Sequence, residues 1–386
     1  MKSGPPARRR SRVRALVGFS AFGLLWGAWG AELPAIQTHA GVDDGELGVA
    51  LLCIGAGAIV AMRPTGVLVD RSRRILPATC ALLGVAALGP ALATSAPGLA
   101  LSLAALGLCS GAMDVAINAE AAEAESHGDP LMNLSHAAFS ASVVASSLLI
   151  GLMRELGAEP LVVLGAIGAC LAGVAVLLLG LGGGAAVPKP RVPPSSLLRI
   201  PRPLVILGVL AAVAFVVENA WQSWSAVQLE TTFEAPAGVA ALGPAIFAGA
   251  AALGRSTGHL LTRRLPDRAI LALGASIGAA GTLLGALAPG RGLALVGVGI
   301  AGLGTSVCAP TLFSLAGRSA RPENRASAVS AVTTLAYLGF VIGPAAVGLA
   351  AELTSLRAAL AGVALLAGLL AFASRFAPVP DRVFVE

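Results

Sequence analysis

The sequence is poor in charged residues. Only 12% of its 386 residues are Asp, Glu, Lys or Arg, whereas a soluble domain carries about 25%. Aromatic residues make up 4%, with a single Tyr. So little charge cannot cover a surface that faces water, which excludes a soluble globular protein. The chain is instead 56% apolar and contains 48 glycines.

Reactive and metal-binding patterns are also missing. The five cysteines all fall in apolar segments, with no CxxC pair and no histidine spacing typical of a metal site. We expect them to pack as small apolar residues, with no metal and no disulfide. The sequence contains no Walker loop, nucleophile elbow or HExxH motif. We therefore predict that the protein is not an enzyme and needs no cofactor.

The charges lie in short clusters between apolar stretches of roughly 20 residues, the length that crosses a bilayer as a helix. Backbone groups in hydrocarbon must bond within their own segment, and no alternation typical of barrel strands recurs. The predicted fold class is an all-α polytopic membrane protein with twelve transmembrane helices. The predicted spans are 14–37, 46–69, 75–93, 97–119, 131–154, 159–182, 203–229, 236–262, 268–288, 291–317, 324–350 and 355–376.

A single long linker rich in Pro and Gly divides the spans six and six. We predict a basic N-tail at 1–13, a six-helix bundle at 14–182, the linker at 183–202, a second six-helix bundle at 203–376 and a C-tail at 377–386.

Several features recur at a spacing of about half the chain. They are Trp26 and Trp29 with Trp221 and Trp224, Gly66 and Arg71 with Gly258 and Arg263, and Gly151 and Glu155 with Gly348 and Glu352. Three ordered matches at nearly one offset indicate two parallel, pseudo-symmetric repeats. Such halves are typical of transporters that bind a solute at the midplane between them.

The basic residues predict the orientation. With both termini in the cytoplasm, the cytoplasmic segments hold 21 Lys and Arg and the outer loops hold 3. The positive-inside rule therefore predicts a multi-pass inner-membrane protein with both termini cytoplasmic. The acidic segment 120–130 has no cation, but acidic residues contribute little to topology. The first apolar run is too long for a signal-peptide core, and we interpret it as an uncleaved span.

The loop after the second span reads Gly66-Val-Leu-Val-Asp70-Arg71-Ser72-Arg73-Arg74. It resembles the G-x-x-x-D-R-x-G-R-R signature of the major facilitator superfamily, with one position missing. A second copy follows span 8, with Thr in place of the acid. In that family this loop latches one conformer. The resemblance implies latch roles for Gly66, Asp70, Arg71, Arg74, Gly258 and Arg263.

Finer matches resemble the fucose-permease-like and MosC-like branch of the family and run from about residue 15 to 376. They include Gly27-Ala-Trp29, Asp114-Val-Ala-Ile-Asn118 and Ser135-His136-Ala. The resemblance implies secondary active transport of a sugar, polyol or similar polar solute by alternating access. The resemblance also implies that the proton gradient drives this transport, with protons and solute moving in the same direction (symport). Glu32 stands where MosC-like relatives more often have Arg, which leaves the substrate open.

Ionisable residues inside spans are functional candidates, because charge in hydrocarbon costs at least about 2.5–3.5 kcal/mol. Asp114 in span 4 has Asn118 one turn later on the same face. Burial favours a neutral carboxyl group and hydration a charged one, so alternating access can load and release a proton there. The pair resembles the acid and Asn of fucose permeases that are implicated in proton-coupled sugar binding. Alternatively, Asp114 pairs with Arg63 or Arg255 and only staples helices.

Glu218 lies near the middle of span 7, where its face includes Trp221, Gln222 and Ser225. An indole can stack on a sugar ring while an amide and a carboxylate bind hydroxyls. We predict proton coupling for Glu218 and solute binding for the other three, and for Asn118 and Trp29. Alternatively, the span 7 tryptophans are interfacial anchors and Glu218 is paired elsewhere.

Glu32 in span 1 and His136 in span 5 are further proton-coupling candidates. A histidine in such a position more often hydrogen-bonds across helices. The predicted partners are the lipid bilayer and a small-molecule solute. We expect no binding of nucleic acid, because the cations lie at helix ends. We also expect the protein to be a monomer.

Two other functions stay open: a proton-antiport exporter of drugs or secondary metabolites, and a transporter-like receptor or assembly subunit that transports nothing.

Overall fold

The structure is a computed structural model that describes residues 5–126, 131–182, 200–261, 264–320 and 325–378. Throughout these ranges the secondary structure is helical, with turns and no strand. Twelve segments are long and apolar enough to cross a membrane. The predicted fold class, all-α with twelve spans, is confirmed.

The first six spans are built from seven helices: α1 (Pro5–Ala40), α2 (Asp44–Val69), α3 (Ile75–Ala86), α4 (Gly89–Leu92), α5 (Ala96–Ser126), α6 (Leu131–Glu155) and α7 (Pro160–Gly180). The last six spans are built from eight: α8 (Arg202–Phe233), α9 (Ala237–Ala240), α10 (Leu242–Leu261), α11 (Asp267–Leu287), α12 (Arg291–Thr305), α13 (Cys308–Arg318), α14 (Arg325–Leu353) and α15 (Leu356–Ala373). Several helices extend past the predicted spans, because backbone bonding continues into polar flanks that an apolar criterion leaves out.

Three spans are broken into two helices each, and every break lies just before a proline. The pairs are α3 and α4 before Pro90, α9 and α10 before Pro244, and α12 and α13 before Pro310. Proline has no N–H to donate to the carbonyl four residues earlier, so the helical ladder is interrupted there. The first two breaks share the sequence Ala-Leu-Gly-Pro-Ala.

The chain forms two compact units. Unit 1 comprises Met1–Pro190 with Glu234–Ala245, and unit 2 comprises Arg191–Phe233 with Ile246–Glu386. The start of the eighth span thus packs in unit 1. There Glu155 accepts a hydrogen bond from the Gly238 N–H at 2.8 Å.

Glycine allows the helices of unit 1 to approach closely. A methyl group on Gly107 of α5 would overlap the carbonyl of Ile54 on α2, and one on Gly27 of α1 would overlap the carbonyl of Val143 on α6. Ser147 of α6 then reaches the Gly27 carbonyl with a hydrogen bond of 2.9 Å. Hydrocarbon gives apolar helices little reason to associate, so close contact and interhelical hydrogen bonds hold them together.

Unit 2 uses the same device. A methyl group on Gly339 of α14 would overlap the Ala212 carbonyl on α8, and one on Gly297 of α12 would overlap the backbone of Gly285 on α11. By contrast, Gly362 of α15 has open space where a methyl group would lie.

We predict that Gly339→Ala lowers the stability of the protein by about 1–3 kcal/mol, because the added methyl group forces α8 and α14 apart. The measurement is unfolding in mixed detergent and SDS micelles, followed by tryptophan fluorescence. Gly362→Ala is the matched control and should be neutral or slightly stabilising, because Ala favours a helix over Gly. Equal stability of the two variants would refute the close contact.

Candidate functional site

Arg14 is the most extensively bonded charged residue in the described part of unit 1. Its side chain is 2% exposed, and it lies in α1. Its Nε and Nη2 donate to the two carboxylate oxygens of Glu120 on α5, at 3.0 and 3.3 Å. Further bonds reach the carbonyls of Arg73, Leu178 and Gly182, at 3.0, 2.8 and 3.2 Å. All five guanidinium N–H groups therefore have an acceptor.

Arg73, in the loop after α2, extends this cluster. Its guanidinium lies 3.4 Å from Glu120 and also pairs with Glu123 on α5. The acidic segment that holds no cation of its own thus finds its cations on α1 and on the α2–α3 loop. Sequence reasoning missed Arg14 and Glu120 as a pair; the unexplained acids at the end of span 4 were the available signal.

The six predicted latch residues are mostly outside this cluster. Asp70, Arg71 and Arg74 are exposed at the end of α2 and in the following loop. A methyl group on Gly66 would meet open space, whereas one on Gly258 would meet the side chain of Val307. Arg263 lies outside the described residues. A latching role for the six stays a prediction.

Asp114 and Asn118 meet on α5, as predicted. The Asn118 amide donates to an Asp114 carboxylate oxygen at 3.0 Å and to the Asp114 carbonyl at 2.9 Å. Asp114 is half-buried and, among the described residues, has no ion-pair partner. Arg63, one of the two cations considered for it, is exposed on α2. The carboxyl group is therefore bonded by an amide and, within the part of the chain that the structure describes, is not balanced by a cation.

Glu32 of α1 lies beside a cation. Its side chain is fully buried, with Oε2 3.8 Å from the Nε of Arg154 on α6. Arg154 also donates to the Ala31 carbonyl at 2.7 Å, which fixes the guanidinium at this end of α1. His136 lies near the start of α6 and is exposed, with its ring edge-on to Phe19 at 4.9 Å between centroids. Unit 1 therefore brings Glu32 to Arg154, whereas His136 packs beside Phe19.

Glu218 of α8 is paired with a cation in unit 2. Arg255 of α10 donates from Nη2 to Glu218 Oε1 at 2.6 Å. Gln222, one turn along α8, lies with its Nε2 3.4 Å from the same oxygen. Glu218 is buried, whereas Gln222 and Arg255 are exposed. Three polar side chains are thereby brought together. Sequence reasoning placed Glu218 and Gln222 on one face, but considered Arg255 as a partner of Asp114 and not of Glu218.

The tryptophans of α8 are fully buried. Trp221 donates from its indole to Thr282 Oγ at 3.0 Å, and its ring packs against Gly285. Trp224 donates to the Pro344 carbonyl at 3.2 Å. Neither indole is exposed to lipid, so they are not interfacial anchors in this structure. A solute-stacking role for Trp221 stays a prediction, as it does for Trp29, which is buried in α1.

Twelve apolar spans define a multi-pass membrane protein, and charge pairs and a carboxyl group held inside such spans are typical of a transporter. The family model of the Major Facilitator Superfamily matches residues 14–301 and 235–385. The chain belongs to this superfamily, as its loop signature predicted. Family and fold are those of transporters, which are not enzymes.

Individual proteins that this chain resembles belong to the same superfamily or share its fold. An uncharacterised MFS-type transporter of Yersinia pestis is 32% identical over 360 residues, which is 92% of this chain and 92% of that protein. Membrane protein MosC of Rhizobium meliloti is 26% identical over 385 residues, covering 96% and 91%. MosC is thus among the relatives, which confirms the MosC-like resemblance. The solved structure of the nucleoside transporter NupG has a TM-score of 0.79 at 15% identity, covering 96% of this chain and 98% of that one.

We predict that Arg14→Ala destabilises the protein by about 3–5 kcal/mol, because it leaves the buried Glu120 carboxylate with less compensation. The stability of Arg14→Lys should lie between those of the unmodified protein and Arg14→Ala, since an ammonium offers three donors where the guanidinium offers five. Unfolding in mixed micelles measures both. Arg12→Ala is the control, because Arg12 is exposed on the same helix. If Arg14→Ala unfolds like Arg12→Ala, the cluster does not stabilise unit 1.

Proposed function

We propose that this protein is a proton-coupled symporter that carries a small polar solute across the inner membrane by alternating access. The observation that carries the proposal is the Asp114–Asn118 pair, a carboxyl group inside a span that has an amide neighbour and no balancing cation among the described residues. The solute is of the sugar, polyol or similar metabolite class.

The carboxyl groups inside the spans differ in their partners, and this difference supports the assignment. Glu218 has the Arg255 guanidinium at 2.6 Å, and Glu32 has that of Arg154 at 3.8 Å. A proton on either would leave an arginine inside the protein without its counter-charge, which is costly. A proton on Asp114 leaves no such charge behind. Asp114 is therefore the group best suited to carry a proton through the cycle.

The position of Asp114 along α5 also favours a proton role. Six residues separate it from Glu120, which at about 1.5 Å per residue is about 9 Å along the helix. Glu120 lies one turn before the end of the span at Glu123, where the Arg14 cluster lies. Asp114 is thus far enough inside to be desolvated and near enough to one end to be hydrated when that end opens. Alternating access needs both states.

We predict that Asp114→Asn abolishes proton-driven accumulation of the solute while solute exchange persists, because the amide cannot pick up or release a proton. The measurement uses proteoliposomes with an imposed pH gradient, and counterflow of labelled solute without one. Glu159→Gln is the matched control, since Glu159 is exposed at the start of α7 and makes no side-chain cap hydrogen bond. Normal accumulation by Asp114→Asn would refute the proposed coupling.

The direction of proton flow separates symport from antiport in the same liposomes. Adding solute outside should make the lumen more acidic in a symporter, because protons enter with the solute. Alkalinisation of the lumen would instead indicate an antiporter.

We further propose that both termini are cytoplasmic, as the distribution of Lys and Arg indicates. A reporter active only in the periplasm should be inactive when fused after residue 378 and active when inserted between α6 and α7. The opposite pattern would overturn the orientation.

A further inference from the structure

The ion pair between Arg255 and Glu218 in unit 2 leaves some of its hydrogen-bonding groups without a partner among the described residues. Glu218 Oε1 receives both the Arg255 bond and the Gln222 contact, at 2.6 and 3.4 Å. In the described part of the chain no group donates to the second oxygen, Oε2. Among the described residues, Glu218 Oε2 can therefore still accept a hydrogen bond, next to Oε1, which already accepts.

Arg255 likewise has N–H donors that no described residue accepts. Its side chain is 41% exposed, and one of its five N–H groups is engaged, with no further acceptor among the described residues. A guanidinium that faces hydrocarbon is costly. The exposed part of Arg255 therefore has to meet water or a polar solute, although the residue lies within a span.

We infer that the Arg255–Glu218 pair binds the transported solute and selects it for zero net charge. The inference rests on the proposed function, because it takes the protein to move a solute, and it deepens that function by naming what sets the charge of the solute. The pair carries one positive and one negative charge and is neutral as a whole. An anion would meet the Glu218 carboxylate and a cation would meet the Arg255 guanidinium, so each is disfavoured.

The open groups suit adjacent hydroxyls. A hydroxyl both donates and accepts, so one can accept from Arg255 while its neighbour donates to Glu218 Oε2. The 2.6 Å pair stays closed while this happens. A zwitterion would have to separate the pair to use both of its own charges, which gives up the strongest contact in the site.

A buried hydroxyl supports a polar solute near this face. Ser225 lies seven residues after Glu218 on the same side of α8, and its Oγ is buried without a hydrogen-bond partner among the described residues. Buried hydroxyls are nearly always bonded. A solute hydroxyl, or a water that enters with it, would give this one a partner.

The test changes the charge of the pair and measures which solutes bind. Binding is read as the rise in melting temperature of the purified protein in detergent. The probes are neutral pentoses, hexoses, hexitols and nucleosides, together with the uronates and amino sugars that match the hexoses in size. The unmodified protein should be stabilised most by a neutral member.

Each variant has its own expected result. Glu218→Gln leaves the charge of Arg255 unbalanced, and should move the ratio of uronate to neutral-sugar affinity by about tenfold toward the uronate. Arg255→Gln should move it toward the amino sugar. The double variant is neutral again and should recover the neutral preference, although with weaker binding. Because the single variants act in opposite directions, poor folding of one still leaves the other and the double variant as tests.

Asp267→Asn is the matched control. Asp267 pairs with Arg318 at 2.8 Å in the same unit, where α11 begins and α13 ends. Removing that carboxylate should leave the charge preference unchanged. A purely structural role of Glu218 predicts a lower melting temperature with an unchanged preference. That result, or an unmodified protein that binds no neutral member or prefers a charged one, would overturn the inference.

The outcome is separable from that of the proposed function. Binding in detergent needs no proton gradient, so it does not depend on Asp114. If Asp114→Asn accumulates solute normally, the proton assignment fails while the charge selection stands. If Glu218→Gln keeps the neutral preference, the charge selection fails while the proton assignment stands.

Discussion

The structure depends on one constraint: hydrocarbon offers no hydrogen bonds, so polar groups within a span must be satisfied by the protein. Arg14 is the clearest example, since all five of its N–H groups donate to the Glu120 carboxylate or to backbone carbonyls of segments next to α1 in unit 1. Arg357 in unit 2 does the same on a smaller scale by donating to the carbonyls of Ala286 and Ala288 at the end of α11. Arginines at helix ends thereby fix the arrangement of helices that the lipid alone would leave free.

Close packing between small residues is the second consequence of that environment. Lipid tails are as apolar as leucine, so a large apolar side chain gains little by leaving lipid for a neighbouring helix. Glycines such as Gly107 and Gly339 instead bring two backbones into contact. Each unit contains its own contacts of this kind.

The polar groups left inside the spans are then informative because each is expensive. Asp114 has an amide neighbour and no cation among the described residues, whereas Glu218 has Arg255. The first arrangement suits a group whose charge changes during a cycle. The second suits a fixed pair of charges that a neutral solute can contact without separating them. The division of labour that we propose, with proton binding at Asp114 in unit 1 and solute selection at the Arg255–Glu218 pair in unit 2, would account for both arrangements.

The sequence by itself determined the twelve spans, the helical class and the family. These follow from the length of apolar runs and from short motifs, which are local properties. It also placed Asp114 with Asn118 and Glu218 with Gln222, because residues four apart on a helix are neighbours. Helix breaks before Pro90, Pro244 and Pro310 have a local cause as well.

Only the tertiary structure decided which charges meet. The sequence left Asp114 free to pair with Arg63 or Arg255, but Arg255 bonds Glu218 and Arg63 is exposed. It likewise gave no cation for Glu120, whose partner Arg14 lies 106 residues away. Pairing between helices depends on which helices are neighbours and how each is rotated about its axis. Spans of nearly uniform composition do not encode that locally, because small apolar faces fit many partners.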